Sequence, residues 1–252
     1  MFLQNRYLID PINLQGFPLK TRLRLEVERL WFSRRARNAH AFIVQTPSMQ
    51  ALLESSGKVT GKPVHILPFV NASEGYERVV SSPAPRVTMQ DFIYVASGEP
   101  HKNHRRLIEA WSLLAKDGLY PYLWLTLDAG IHPELCAWMA QQNERGKLRV
   151  ENLGVQSHEE ILRLYARVGA LIYPSVFESF GIPLIEARQA GLAVVASELD
   201  FVRDVLDPEQ VFDPQSPVSI ARAVKRFMGA SEEALPLLNA AEFMKSLLEK
   251  CE

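Results

Sequence analysis

From residue 91 onward the sequence alternates short apolar runs with amphipathic segments, and this alternation most narrows what the chain can become. Runs at 91–97 (DFIYVAS), 121–128 (PYLWLTLD), 147–153, 169–174 (GALIYP), 192–196 (LAVVA) and 211–213 read as strands. Between and after them, 103–116, 133–144, 157–167, 182–190, 201–206, 217–229 and 231–249 read as helices. Strands separated by helices cannot pair as hairpins; they form a parallel sheet covered by helices on both faces. Local signals agree: Ser157 with Glu160 makes a capping box, and Ser216-Pro217 places an N-cap before a proline in the first helical turn. The expected fold class is therefore α/β, a doubly wound parallel sheet of order 3-2-1-4-5-6, with ligands at the carboxyl ends of its first and fourth strands, where the winding reverses.

The first ninety residues are less regular. Residues 17–38 place Leu19, Leu23, Val27, Leu30 and Trp31 at helical spacing among six arginines, which predicts a basic amphipathic helix. A strand is expected over 40–45, a helix from Thr46-Pro47 to Leu53, and a strand over 63–70. Residues 71–90 are polar and carry Ser81-Ser82-Pro83-Ala84-Pro85, the composition of a linker. Met1–Leu3 and Tyr7–Ile9 read as strand or strand-end residues with no lead-in. The expected organisation is the remnant of a first Rossmann-like domain over 1–75, a linker over 76–90, a complete domain over 91–229 and a C-terminal helix over 230–252.

Composition is that of a globular chain: 252 residues, 47 % hydrophobic, 23 % charged, net charge -1, which gives no case for a nucleic-acid partner. The balance hides an asymmetry, since residues 1–70 hold ten Lys/Arg against four Asp/Glu. Cys136 and Cys251 lie far apart, without the spacing of a zinc site. No apolar run approaches the roughly 18 residues of a membrane span. The chain is read as cytoplasmic.

The loops after the first and fourth strands carry the unusual residues. The first, GEPHKNHRR, sets Lys102 beside a helix N-terminus, a pairing that suits a phosphate. The second, SVFESFGIPLIEA, has Gly181 for close backbone approach and Pro183 for a first helical turn. Glu178 and Glu186 have seven residues between them. At about 1.5 Å per helical residue they stand up to roughly 12 Å apart, beyond the roughly 5–9.5 Å of a hydrolytic carboxylate pair. One carboxylate at each end of an elongated ligand fits that spacing better. Without their flanks, the same two residues also read as solvated helix-end charges, and Lys102 as a surface lysine. His101 and His104 lack a visible third metal ligand.

The stretch 170–191, ALIYPSVFESFGIPLIEARQAG, resembles the signature of the retaining nucleotide-sugar glycosyltransferases of the group one (family four) kind, which have the GT-B fold of two facing Rossmann-like domains. The resemblance extends over roughly 91–229, through ASGEPHKNHRRLIEAW and LGVQSHEEILRLYARV. It implies transfer of a sugar from a UDP- or GDP-linked donor to a cell-surface glycan or lipid-linked acceptor, with retention of configuration and without a metal or other cofactor. Glu178 matches the Glu on the hydroxyls of the transferred sugar, Glu186 the Glu that holds the ribose, and Lys102 the Lys that neutralises the leaving diphosphate. The backbone of Phe180, Gly181 and Ile182 would face sugar and diphosphate, and Gln156 would border the base. Many relatives carry an Arg shortly before the Lys; here the stretch is Gly98-Glu99-Pro100-His101, leaving Arg105 or Arg106 as substitutes. The family's upstream strands, Gly-rich loop and His have no counterpart in residues 1–70, so a donor-binding remnant or partner-dependent module without activity of its own is the alternative. Another GT-B enzyme, an epimerase or phosphorylase, is the third. The basic helix, finally, is a candidate for peripheral contact with the inner face of a membrane.

Overall fold

The computed structural model describes residues 1–10, 17, 19–69, 90–230 and 237–251. Its larger body is a six-stranded parallel sheet built from β3 (Asp91–Tyr94), β4 (Tyr122–Leu125), β5 (Arg149–Asn152), β6 (Ala170–Tyr173), β7 (Ala193–Ser197) and β8 (Gln210–Phe212), in the order β5-β4-β3-β6-β7-β8. Numbered from residue 91, that is the order 3-2-1-4-5-6. The central strands β3 and β6 are buried along their whole length, with Phe92, Ile93, Leu171 and Ile172 in the core. A run apolar on both faces needs cover on both faces. The helices α3 (His104–Lys116), α4 (Pro133–Gly146), α5 (His158–Tyr165), α6 (Ile182–Gln189), the short α7 (Asp200–Arg203) and α8 (Pro217–Phe227) follow these strands in turn. Ser157 forms the full capping box with Glu160, and the Ser216 side chain accepts from Ser219 N. The last helix described, α9, spans Ala240–Cys251.

The smaller body pairs β1 (Phe42–Val44) with β2 (Val64–Ile66) in parallel and packs α1 (Leu19–Ala36) and α2 (Pro47–Ser55) against them. Thr46 caps α2 by accepting from Met49 N.

The basic helix forms as expected, and the strand reading of the N-terminal segment is corrected. The stripe Leu19, Leu23, Val27, Leu30 and Trp31 is 55–77 % exposed, and α1 instead buries Leu25, Phe32 and Ala36. Phe32 meets Phe42 edge-on at 6.3 Å between ring centroids, and Ala36 lets the helix lie close. A helix with two apolar stripes does not reveal by period which one faces the core. The N-terminal segment is strand-like only at Phe2, which bridges Ile43 in parallel; Arg6–Leu8 is a 3-10 turn because the Asn5 side chain accepts from Tyr7 N and caps it. The linker expected over 76–90 lies, apart from Gln90, outside the described residues, as does the start of the helix expected over 231–249.

Candidate functional site

The loops after β3 and β6 meet at the switch point and are fastened to each other by buried polar groups. Tyr94, at the end of β3, donates its hydroxyl to the carbonyl of Lys102 (2.8 Å) and lies 2.9 Å from Ser175 Oγ. Asn103 occupies the left-handed region (φ 63°), which frees its side-chain amide to donate to the carbonyls of Pro174 (3.1 Å) and Pro214 (2.8 Å). Val176 N donates to the His101 carbonyl at 2.9 Å. With the backbone held this way, Lys102 Nζ reaches Glu178 Oε1 at 2.6 Å, and their side chains are only 16 % and 13 % exposed.

Beyond Glu178 the chain turns into α6. Phe180 is buried, and Gly181 caps the helix at φ 70°, packed so that a Cβ would stand 2.9 Å from Leu184 Cδ1. Ile182 is half exposed at the helix start. Glu186 lies a turn further on, 3.5 Å from His158 Nδ1 at the start of α5, and burial raises its carboxyl above the usual carboxylate range, partly offset by His158. Gln156, two residues before His158, donates to the Leu153 carbonyl at 2.7 Å. The structure thus joins Lys102 to Glu178 and brings Glu186 to the segment that carries Gln156.

Several residues at this site carried no signal in the sequence. Arg6 places its guanidinium 4.5 Å over the Phe177 ring, donates to the Glu178 carbonyl (3.3 Å) and, through its backbone N–H, to Ser179 Oγ (3.1 Å). Tyr7 hydrogen-bonds His101 Nδ1 at 2.9 Å. Contacts spanning more than 90 residues leave no local pattern. The two candidate replacements for the missing arginine go elsewhere: the Arg105 guanidinium stacks 4.6 Å from the Trp138 ring centre, and Arg106 lies 3.8 Å from Glu109. Among the described residues, the cation nearest to Glu178 besides Lys102 that these contacts reveal is Arg6.

His104 is buried against Tyr94, with neither ring nitrogen hydrogen-bonded. Burial, with Lys102 and His132 nearby, lowers its pKa to about 3. No cluster of three or more His, Cys, Asp or Glu among the described residues is arranged to hold a metal, and none of the described helices is long and apolar enough to cross a membrane.

Two cavities flank the site. A small one of about 280 Å³ is lined by Gln4, Asn5, Tyr7, His101 and Phe177–Ser179. A larger one of about 1250 Å³ shares Asn5, Tyr7 and His101 with it and opens between the start of α1 and the starts of α3 and α4.

The family described as "Glycosyl transferases group 1" matches residues 81–242, and the chain belongs to it. The serotype-specific mannosyltransferase WbdA of Escherichia coli is 30 % identical over 146 residues, 56 % of this chain and 18 % of that protein. Sucrose-phosphate synthase from Thermosynechococcus elongatus superposes with a TM-score of 0.67 at 20 % identity, over 90 % of this chain and 58 % of that one. HepE of Anabaena, solved with UDP and glucose, gives 0.61 at 20 % identity, over 86 % and 59 %. The chain therefore spans under a fifth of that curated relative and under three fifths of those solved chains. The fold is of the GT-B type, its six-stranded body being the complete Rossmann-like domain.

Proposed function

We propose that this chain binds a nucleotide sugar and transfers its hexose, with retention of configuration, to a cell-surface glycan or lipid-linked acceptor. The observation that carries the reading is the Lys102–Glu178 pair at the switch point of a group 1 glycosyltransferase domain. Departure of a nucleoside diphosphate develops negative charge. The Lys102 ammonium and the start of α6, where the N-cap Gly181 brings no side-chain acceptor to the free N–H groups, are positive groups on which that charge falls. Released from Lys102, the Glu178 carboxylate accepts hydroxyls of the transferred sugar. Glu186 accepts from the ribose hydroxyls, Gln156 borders the base, and the Phe180–Ile182 backbone lies along the diphosphate. These side chains supply charge stabilisation and orientation by themselves, and the reading assigns no metal or cofactor. The mannosyltransferase relative makes mannose the first sugar to test, and GDP and UDP, the carriers the family resemblance implies, are the first nucleotides.

A second reading concerns place. The exposed stripe of α1 is flanked by Lys20, Arg22, Arg24, Arg34 and Arg35 against Glu26 and Glu28, an apolar ridge within a rim of net positive charge. That combination supports peripheral contact with an anionic bilayer surface such as the inner face of a membrane.

Thermal unfolding with millimolar UDP, GDP, ADP and their sugar conjugates tests the donor reading. At about 100 times its dissociation constant a ligand stabilises the fold by roughly 2.7 kcal/mol. A rise of several degrees with one nucleotide is expected. No rise with any of them, in a chain that unfolds cooperatively, overturns it.

A further inference from the structure

We infer that Arg6 and Tyr7, adjacent residues of the smaller body, are positioning residues for the donor site: Arg6 sets the place of Glu178, and Tyr7 that of Lys102. The inference rests on the transferase reading and adds how its charged pair is held in register.

The turn that carries the two residues is fixed from within its own body. Asn5 caps Arg6–Leu8 by accepting from Tyr7 N at 3.0 Å. Arg29, on α1, donates to the Tyr7 carbonyl at 2.8 Å and to the Asp10 carbonyl at 2.9 Å, and Lys58 donates to the Leu8 carbonyl at 2.8 Å. Arg6 Nε pairs with Asp10 Oδ2 at 3.0 Å, both side chains being largely buried. Bonds inside the smaller body therefore orient the turn's backbone and the guanidinium alike.

From that base the two side chains diverge, one to each loop of the switch point. Arg6 meets three consecutive residues of the loop after β6: the Phe177 ring, the Glu178 carbonyl and the Ser179 hydroxyl. Tyr7 packs its ring 4.5 Å from the Phe177 ring centre and hydrogen-bonds His101 Nδ1 at 2.9 Å, in the loop after β3 and next to Lys102 in the chain. Burial lowers the His101 pKa, so the imidazole that Tyr7 meets is neutral at pH 7 and puts no second cation beside Lys102.

A contact that only joined the bodies could fall anywhere on their facing surfaces, as that of Ser48 with Asp204 does. These two fall on the residue that bears one charge of the pair and on the neighbour of the residue that bears the other. Lys102 Nζ and Glu178 Oε1 belong to different loops, so their 2.6 Å separation follows the spacing of those loops. Hydrogen-bond geometry tolerates only a narrow range of distance. A rigid turn touching both loops governs that spacing.

The test first reads Lys102 without any ligand. In the full chain, acetylation of Lys102 by acetic anhydride, followed by peptide mass spectrometry, is expected to quicken about three- to tenfold in Arg6→Ala and in Tyr7→Phe, the equivalent of one lost hydrogen bond. Ser48→Ala, which loosens the bodies elsewhere, leaves the rate unchanged. Calorimetry with guanosine, GDP and GDP-mannose, and with uridine, UDP and UDP-glucose, then separates the two roles. Arg6→Ala should lower the affinity for the nucleotide sugar relative to the diphosphate, and Tyr7→Phe that for the diphosphate relative to the nucleoside, each about three- to tenfold. If Arg6→Ala does not fold cooperatively, Arg6→Lys is read in its place, since one terminal nitrogen cannot serve both Asp10 and the Glu178 carbonyl. A merely structural role would weaken all ligands together. Unchanged acetylation in either variant, an equal rise in Ser48→Ala, or uniform weakening of all ligands overturns the inference. Failure of every nucleotide to bind the parent chain overturns the donor reading instead, while acetylation still reads the hold on Lys102.

Discussion

Lys102 Nζ and Glu178 Oε1 stand 2.6 Å apart, so the two charges that the proposed chemistry directs at different parts of a donor are paired with each other. A diphosphate competes for the ammonium, and a sugar then meets a carboxylate already released. Lys102→Ala is expected to weaken binding of the nucleoside diphosphate at least tenfold and to leave the phosphate-free nucleoside unaffected, as calorimetry would read. Because Glu178 then lacks its nearest cation in a mostly buried place, unfolding should also be easier by about 1–3 kcal/mol. Equal weakening of both ligands would detach Lys102 from the phosphates.

Glu186 gives the donor site a pH dependence. Its burial raises the carboxyl pKa, and the ionised form is the better acceptor for ribose hydroxyls. Nucleotide affinity should therefore fall as pH drops through the range just above ordinary carboxylate values. Glu186→Gln should bind about 10- to 100-fold more weakly at neutral pH, the loss of a hydrogen bond to a charged group, and show no such fall. A wild-type titration that is flat in that range would sink the assignment.

Asn103 is expected to act through Lys102. Asn103→Gly keeps the left-handed backbone but removes both side-chain bonds to the Pro174 and Pro214 carbonyls. The loss should cost about 1–3 kcal/mol of stability and weaken nucleotide binding, whereas Asn103→Asp should restore neither, since a carboxylate cannot donate to carbonyls. Thermal unfolding and nucleotide titration of both variants decide it.

The large sheet was legible because a parallel sheet buried on both faces writes itself as continuous apolar runs, and its order is the one expected of the doubly wound type. Lys102 and Glu178 were legible as candidates because they sit in the loops after the first and fourth strands, where the winding reverses. What the sequence hid is of two kinds. The buried face of α1 was masked by a second apolar stripe with the same period, and Trp31 is more hydrophobic than the Ala36 that packs. Arg6, Tyr7 and Asn103 were hidden because their partners are remote in sequence or are main-chain carbonyls, which any residue supplies.

His104 should make the fold sensitive to acid. In the native state its imidazole stays neutral down to about pH 3, while in the unfolded chain it takes up a proton near pH 6.5. Between those values the unfolded state binds more protons, so stability is lost as pH falls through that window, by up to about 1.4 kcal/mol per pH unit. His104→Phe, which preserves a ring against Tyr94, should flatten the fall in unfolding temperature from pH 6.5 to 4. An unchanged slope would show that other groups set it.

The stripe of α1 makes a membrane prediction. The chain should co-sediment with vesicles of phosphatidylglycerol and not with those of phosphatidylcholine, with a blue shift from the exposed Trp31. Leu23→Glu combined with Arg34→Glu should abolish both signals without changing nucleotide binding. Concentration-dependent dimerisation with no vesicle binding would mean that the ridge covers itself with a second copy.

Arg6 on the Glu178 carbonyl, Tyr7 on His101, and Ser48, whose backbone N–H donates to Asp204 Oδ2 at 2.9 Å, tie the small sheet to the large one at separate points. The larger cavity exists only while those ties hold, because one of its walls belongs to each body. Apparent affinity for any ligand that touches both walls is then the intrinsic affinity multiplied by the fraction of molecules in which the bodies are docked. A substitution at Ser48, at the far fastening, should consequently register as weaker binding of such a ligand, and a ligand spanning both walls should in turn act as a strap that lowers the rate at which the two sheets part.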